Sequence, residues 1–135
     1  MANPKVLIVE DDSVILSIEK WRLSNLGYDI CGSAGTGTEA MDCVATLQPD
    51  IVLMDITLKG EMDGIETAGR IKKNFNIPVI FVSSHTDGEI IARAKAVNPD
   101  GFIKKPFDDD SLRVAIELGL KKLVFFGFVT FFFMI

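Results

Sequence analysis

The sequence predicts a single α/β domain, a doubly wound, five-stranded parallel sheet flanked by helices. Three observations carry this prediction. Short apolar runs alternate with longer segments of helical period, repeating five times, which is the pattern of successive βαβ units. The runs Val6 to Val9, Ile51 to Met54 and Val79 to Val82 are continuously apolar, as strands covered by helices on both faces must be. Four runs also lead into polar residues: Glu10-Asp11-Asp12, Asp55, Ser83 and, beyond Phe102-Ile103, Lys105.

The elements follow in order. After the first strand, Asp12 or Ser13 is placed to cap a helix, where a short polar side chain accepts orphan amide protons. A second strand near Tyr28 to Ser33 is more polar and is expected at a sheet edge. The next segment, Ser33-Ala34-Gly35-Thr36-Gly37-Thr38, resembles a phosphate-cradling loop. It follows the second strand and so lies away from the crevice beside strand one, which favours a plain helix entry. Ala40, Cys43, Val44 and Leu47 then keep the i, i+3, i+4, i+7 spacing of one buried helix face, as do Leu112, Ala115 and Ile116 near the end. Turn chemistry marks the boundaries at Gly27, Gln48-Pro49-Asp50, Asp63-Gly64, Asn76-Ile77-Pro78 and Asn98-Pro99-Asp100-Gly101.

The domain is expected to span residues 1–122, leaving an uncharged, Phe-rich tail at 123–135, LVFFGFVTFFFMI, to which no role is assigned. Thirteen uncharged residues are fewer than the roughly 20 apolar residues needed to span a bilayer. The tail fits a cut membrane segment, a helix extension buried against a partner, or residues foreign to the natural protein. The net charge of −5 and pI near 4.8 argue against unaided nucleic-acid binding and suit a cation site. Cys31 and Cys43 form no metal-ligand spacing, so reduced structural thiols and a cytoplasmic location are expected, and the N-terminal residues form no basic-then-apolar leader, so no signal peptide is expected.

If the apolar runs are parallel strands, their polar ends converge, because open α/β sheets place the ligand crevice beyond the carboxyl ends of the strands. Glu10 and Asp11 would repel each other there unless a cation sat among them, which points to Mg²⁺. Asp55 closes an otherwise apolar strand, where an unpaired carboxylate costs several kcal/mol. Such a carboxylate can accept a phosphoryl group as an acyl phosphate when cations neutralise the approaching charge. Strand alternation lets Lys105 face the acids while Lys104 faces out. Lys105-Pro106 is a candidate cis bond. His85 is the lone histidine, so any phosphohistidine must come from a partner.

With these residues assembled, the chain resembles a response-regulator receiver domain of two-component systems, similar to chemotaxis regulators. The segments that carry the resemblance are KVLIVEDD, DIVLMDITLKGEMDGIE, IPVIFVSS and GFIKKPF, in the family's order, over Lys5 to about Lys122. The resemblance implies a flavodoxin-like fold with strand order 2-1-3-4-5 and five helices. It implies that Asp55 is the phosphoacceptor, with Mg²⁺ held by Asp11, Asp55 and the Thr57 backbone carbonyl, and with Glu10 acting through water. Lys105 matches the phosphate-binding lysine, Ser83 the switch hydroxyl, Phe102 the switch aromatic, and Thr57 and His85 the positions that tune phosphate lifetime. A sensor histidine kinase or phosphotransfer protein would donate. The face of the fourth helix, fifth strand and fifth helix would engage an output partner or domain, or a second copy as a homodimer. An aspartyl-phosphate phosphatase is the rival enzyme, but Thr57 stands where that motif needs a second acid. A pseudo-receiver acting only as a binding module is the third reading, and the full acid, hydroxyl and lysine set speaks against it.

Overall fold

The structure is a computed structural model that describes residues 2–134, with side chains described as far as Lys121. Five strands and five helices alternate: β1 (Lys5–Val9), α1 (Ser13–Asn25), β2 (Asp29–Ala34), α2 (Gly37–Leu47), β3 (Ile51–Asp55), α3 (Gly64–Phe75), β4 (Val79–Ser83), α4 (Gly88–Ala96), β5 (Gly101–Lys104) and α5 (Asp109–Met134). The strands form one parallel sheet in the order β2-β1-β3-β4-β5. The more polar β2 is an edge strand, as its composition suggests.

Strand alternation divides the core in two. Leu7, Val9, Val52, Met54 and Phe81 face α2 and α3, packing with Ala40, Val44, Ile65, Ala68 and Ile71. Val6, Ile8, Ile51, Leu53, Ile80, Val82 and Ile103 face α1 and α5, packing with Leu23, Leu112 and Ile116. Each large side chain buried this way contributes on the order of 1.5–3 kcal/mol, so the three central strands fix the site.

Local chemistry sets the helix ends. Asp12 caps α1, its Oδ1 accepting from Val14 N and Ile15 N at 2.9 and 3.1 Å. Asp63 caps α3 and Asp87 caps α4. The loop at Ser33 to Thr38 is a helix entry: Thr36 Oγ1 accepts from Glu39 N, and Glu39 Oε2 takes up the Gly35 amide. Gln48, Asn76 and Asn98 end helical stretches in the left-handed region. The backbone of α5 continues without a break past the 122/123 boundary suggested by composition; the side chains of the apolar tail lie outside the described set. Among the described residues, no helix is long and apolar enough to cross a membrane.

Candidate functional site

The register brings the polar strand ends level. Val9 pairs with Met54, so Glu10, the next residue after β1, lies beside Asp55. Asp55 in turn pairs with Val82, and Ser83 with Lys104. The amide of Lys105 donates to the Ser83 carbonyl at 2.9 Å. Four chain segments thus deliver an acid pair, a third acid, a hydroxyl and an ammonium to one edge of the sheet.

Carboxylate oxygens of Glu10, Asp11 and Asp55 lie within 4.8 Å of one another. Hard oxygen donors at this spacing suit a divalent cation such as Mg²⁺, so the residues fit the group that the resemblance implies. Lys105 Nζ donates to Glu10 Oε1 at 3.0 Å and lies 3.9 Å from Asp55 Oδ2, while Lys104 is exposed. The Lys105-Pro106 bond is cis.

Crowding of like charge divides Glu10 and Asp55. Burial, together with the Glu10 carboxylate beside it, pushes Asp55 up to about 7. Burial opposes ionisation of Glu10 as well, but hydrogen bonds from Asp55, Lys105 and the Asp12 amide outweigh it and hold Glu10 below the usual carboxylate range. A proton on Asp55 donated to ionised Glu10 satisfies both directions. Burial also works against the charge of Lys105, yet Glu10 and Asp55 more than offset it and raise its affinity for the proton.

The backbone beneath Asp55 is tightly held. Thr57 N donates to Asp55 Oδ1 at 3.3 Å, and Gly64 N donates to Ile56 O at 2.8 Å. A Cβ on Gly64 would fall 2.0 Å from the Asp55 carbonyl oxygen, so glycine lets α3 start directly against the strand end.

The remaining predicted residues lie on the segments around β3, β4 and β5. The Ser83 hydroxyl is buried, donating to His85 O at 3.1 Å and accepting from His85 N at 3.0 Å. The side chains of Thr57 and His85 are exposed. Phe102 is set apart from the acids on β5, half-buried and edge-on to Phe81 with ring centroids 6.3 Å apart.

One residue of the neighbourhood escapes a motif-led reading. Glu19 on α1 is only 5% exposed. Burial first, then the charge of Glu10, push its carboxyl up to about 7. Its signal was present in the sequence: it stands between Leu16 and Leu23, at i+3 and i−4 on the face that α1 buries.

The family model for the response regulator receiver domain matches residues 6–117. The chain is similar to the transcriptional regulatory protein PdtaR of Mycobacterium tuberculosis, 31% identical over 118 residues that make up 87% of this chain and 57% of that protein. It is 32% identical to the sensory transduction protein BceR of Halalkalibacterium halodurans over 88% of this chain and 51% of BceR. The chain therefore spans about half the length of the curated relatives it matches. Among solved structures, it resembles the signal receiver domain of a modulated diguanylate cyclase from Desulfovibrio desulfuricans, with a TM-score of 0.84 and 44% identity over 89% of this chain and 95% of that one. A CheY-like receiver domain protein from Methanospirillum hungatei gives a TM-score of 0.81 and 26% identity over 90% and 96%.

Proposed function

The chain belongs to the response regulator receiver family, and on that premise we propose that Asp55 is the phosphoacceptor of a two-component switch. The observation that carries the reading is the convergence of the Glu10, Asp11 and Asp55 oxygens within 4.8 Å, with Lys105 Nζ 3.9 Å from Asp55. The donor is the phosphohistidine of a sensor histidine kinase or phosphotransfer protein. An Asp55 carboxylate oxygen forms the new O–P bond as the P–N bond breaks, and its electron pair returns to the imidazole.

Asp11, Asp55 and the Thr57 carbonyl would hold Mg²⁺ directly, and Glu10 through water. Bound there, the dication supplies charge neutralisation that lets all three carboxyls stay ionised next to an incoming phosphoryl group. Lys105, its Nζ 3.9 Å from Asp55, would supply a second positive charge. The phosphoryl group adds about −1.5 to −2 charge at neutral pH. Ser83 would exchange its bonds with His85 for one to a phosphoryl oxygen. Phe102 would then turn inward and the α4-β5-α5 face change shape, to be read by an output partner or domain, or by a second copy. Thr57 and His85, both exposed, would tune phosphate lifetime. Residues 1–122 would form the working unit in the cytoplasm, a switch rather than a turnover enzyme, without direct contact to nucleic acid.

The test is intact mass after incubation with acetyl phosphate, with Mg²⁺ or with chelator, for the parent and Asp55→Asn. A phosphoryl gain confined to the parent in Mg²⁺ is the expected result. Equal gain in Asp55→Asn would move the acceptor elsewhere.

A further inference from the structure

By Gly119, α5 has reached the amino edge of the sheet. A Cβ there would fall 3.0 Å from Ile80 Cδ1, 3.1 Å from Ile51 Cδ1 and 3.8 Å from Asp100 Cβ. Ile51 opens β3, and Asp100 immediately precedes β5. Just before β2, the Tyr28 hydroxyl donates to Glu117 Oε1 at 2.7 Å and ties the helix to the same edge. Glu10, Asp55, Ser83 and Lys105 stand at the opposite edge. Among the described residues, Leu120 is the last of α5 that packs on the core, yet the helical backbone continues to Met134. At 1.5 Å per residue, about 20 Å of helix runs on past the sheet.

Charge stops where the packing stops. Glu117, Lys121 and Lys122 are followed by LVFFGFVTFFFMI, without a single charged residue. At 3.6 residues per turn, positions 123–134 pass round the axis about three times, so no side of this helix carries a charge.

That uniformity selects the occupant. A groove on a protein partner, or a second copy packed side by side, covers one stripe of a helix and suits an amphipathic one. Either would leave the other flank of this segment in water, whereas a bilayer covers every side. Lys121 and Lys122 stand at the junction, where cationic side chains on long apolar stems reach the headgroups. With a net charge of −5, attraction to anionic lipid is not the driving term; burial of the apolar surface is.

We propose that the 123–135 segment inserts into a lipid bilayer and holds the domain at the membrane surface, with Lys121 and Lys122 at the headgroups. About 20 Å of helix is shorter than the roughly 30 Å hydrocarbon core, so the segment enters the bilayer without itself crossing it. The acid cluster, at the far edge of the sheet, stays open to water and to any protein that approaches it.

Flotation of the full chain with phosphatidylcholine vesicles, with and without phosphatidylglycerol, tests this. The parent is compared with Phe126→Glu and Phe128→Glu, whose positions lie about 200° apart round the helix and so on opposite sides. The parent is expected to float with both kinds of vesicle, in low and in high salt. Each single substitution should weaken partition about tenfold or more, with the thermal midpoint of the domain unchanged. A parent that stays in the dense fraction overturns the proposal. Flotation that requires phosphatidylglycerol and disappears in high salt overturns insertion in favour of surface adsorption. Loss confined to one of the two variants overturns it in favour of one-sided packing against a second copy, and sedimentation in mild detergent would then show a discrete oligomer missing from that variant. None of these readouts involves phosphoryl uptake, so the outcome is independent of the phosphoacceptor reading.

Discussion

Position 19 sets a carboxyl where its neighbours on the same face, Leu16 and Leu23, set leucine, and the consequence is a pH-dependent stability. In the fold this group titrates near 7 against an ordinary 4.5, chiefly through burial. The folded state therefore holds a proton that the unfolded chain has lost between those values. This contribution is fully present below about pH 4.5 and is lost as pH rises through about 7, and it amounts to at most about 3 kcal/mol. Glu19→Gln keeps the neutral shape at every pH. Its urea midpoint should match the parent near about pH 5 and exceed it near about pH 8; an unchanged difference across that range would refute the assignment. Gly64 makes a second prediction at this scale. With a Cβ due 2.0 Å from the Asp55 carbonyl, Gly64→Ala must push α3 off the strand end. We expect a loss of about 1–3 kcal/mol and, on the role proposed for Asp55, slower phosphoryl uptake, since the backbone of Asp55 moves.

Among the helices, α4 is the most loosely held, with Ala94 its single fully buried residue. Its side-chain tie to α3 is the Arg93 Nη2 to Asp63 Oδ2 pair at 2.5 Å, and Asp63 also caps α3 next to Gly64. That joins α4 to the segment resting on Asp55. Because Arg93 is 44% exposed, Arg93→Ala should cost less than about 1 kcal/mol of global stability. Amide exchange within α4 should nevertheless quicken selectively, and unchanged exchange there would mean that other contacts hold the helix. Elements differ in how plainly the sequence announces them, for the same physical reason. The three central strands are covered on both faces, so Val6 to Val9, Ile51 to Met54 and Val79 to Val82 read as unbroken apolar runs. The site is equally legible where chemistry ends a strand, at Glu10, Asp55, Ser83 and Lys105. Residues joined only by the tertiary fold gave no local sign: Lys72 meets Asp100 at 2.6 Å, Tyr28 meets Glu117 at 2.7 Å, and Arg22 reaches Asp109 across 87 positions. Periodicity likewise does not reveal that the α5 backbone continues helical through the uncharged tail.

For the whole molecule, the acid cluster should make stability depend on divalent cation. With no cation, Asp55 carries a raised affinity for its proton, about 7, because burial and ionised Glu10 oppose its charge. Those costs are borne by the fold and would be relieved by a dication bound to the native state. Stability should then rise with Mg²⁺ as RT ln(1 + [L]/Kd), about 2.7 kcal/mol at a hundredfold excess over Kd, and fall back on adding chelator. Proton and cation compete for the same oxygens, so apparent affinity should weaken as pH drops through about 7. Asp55→Asn separates this linkage from general ionic effects. It removes one like charge from beside Glu10, so the cation-free variant should be more stable than the parent near about pH 8. It also removes a ligand, so its gain from Mg²⁺ should shrink. Thermal midpoints of both proteins, measured with Mg²⁺ and with chelator at two pH values, decide the matter. A Mg²⁺ gain of equal size in parent and variant would place the cation elsewhere on this chain of net charge −5.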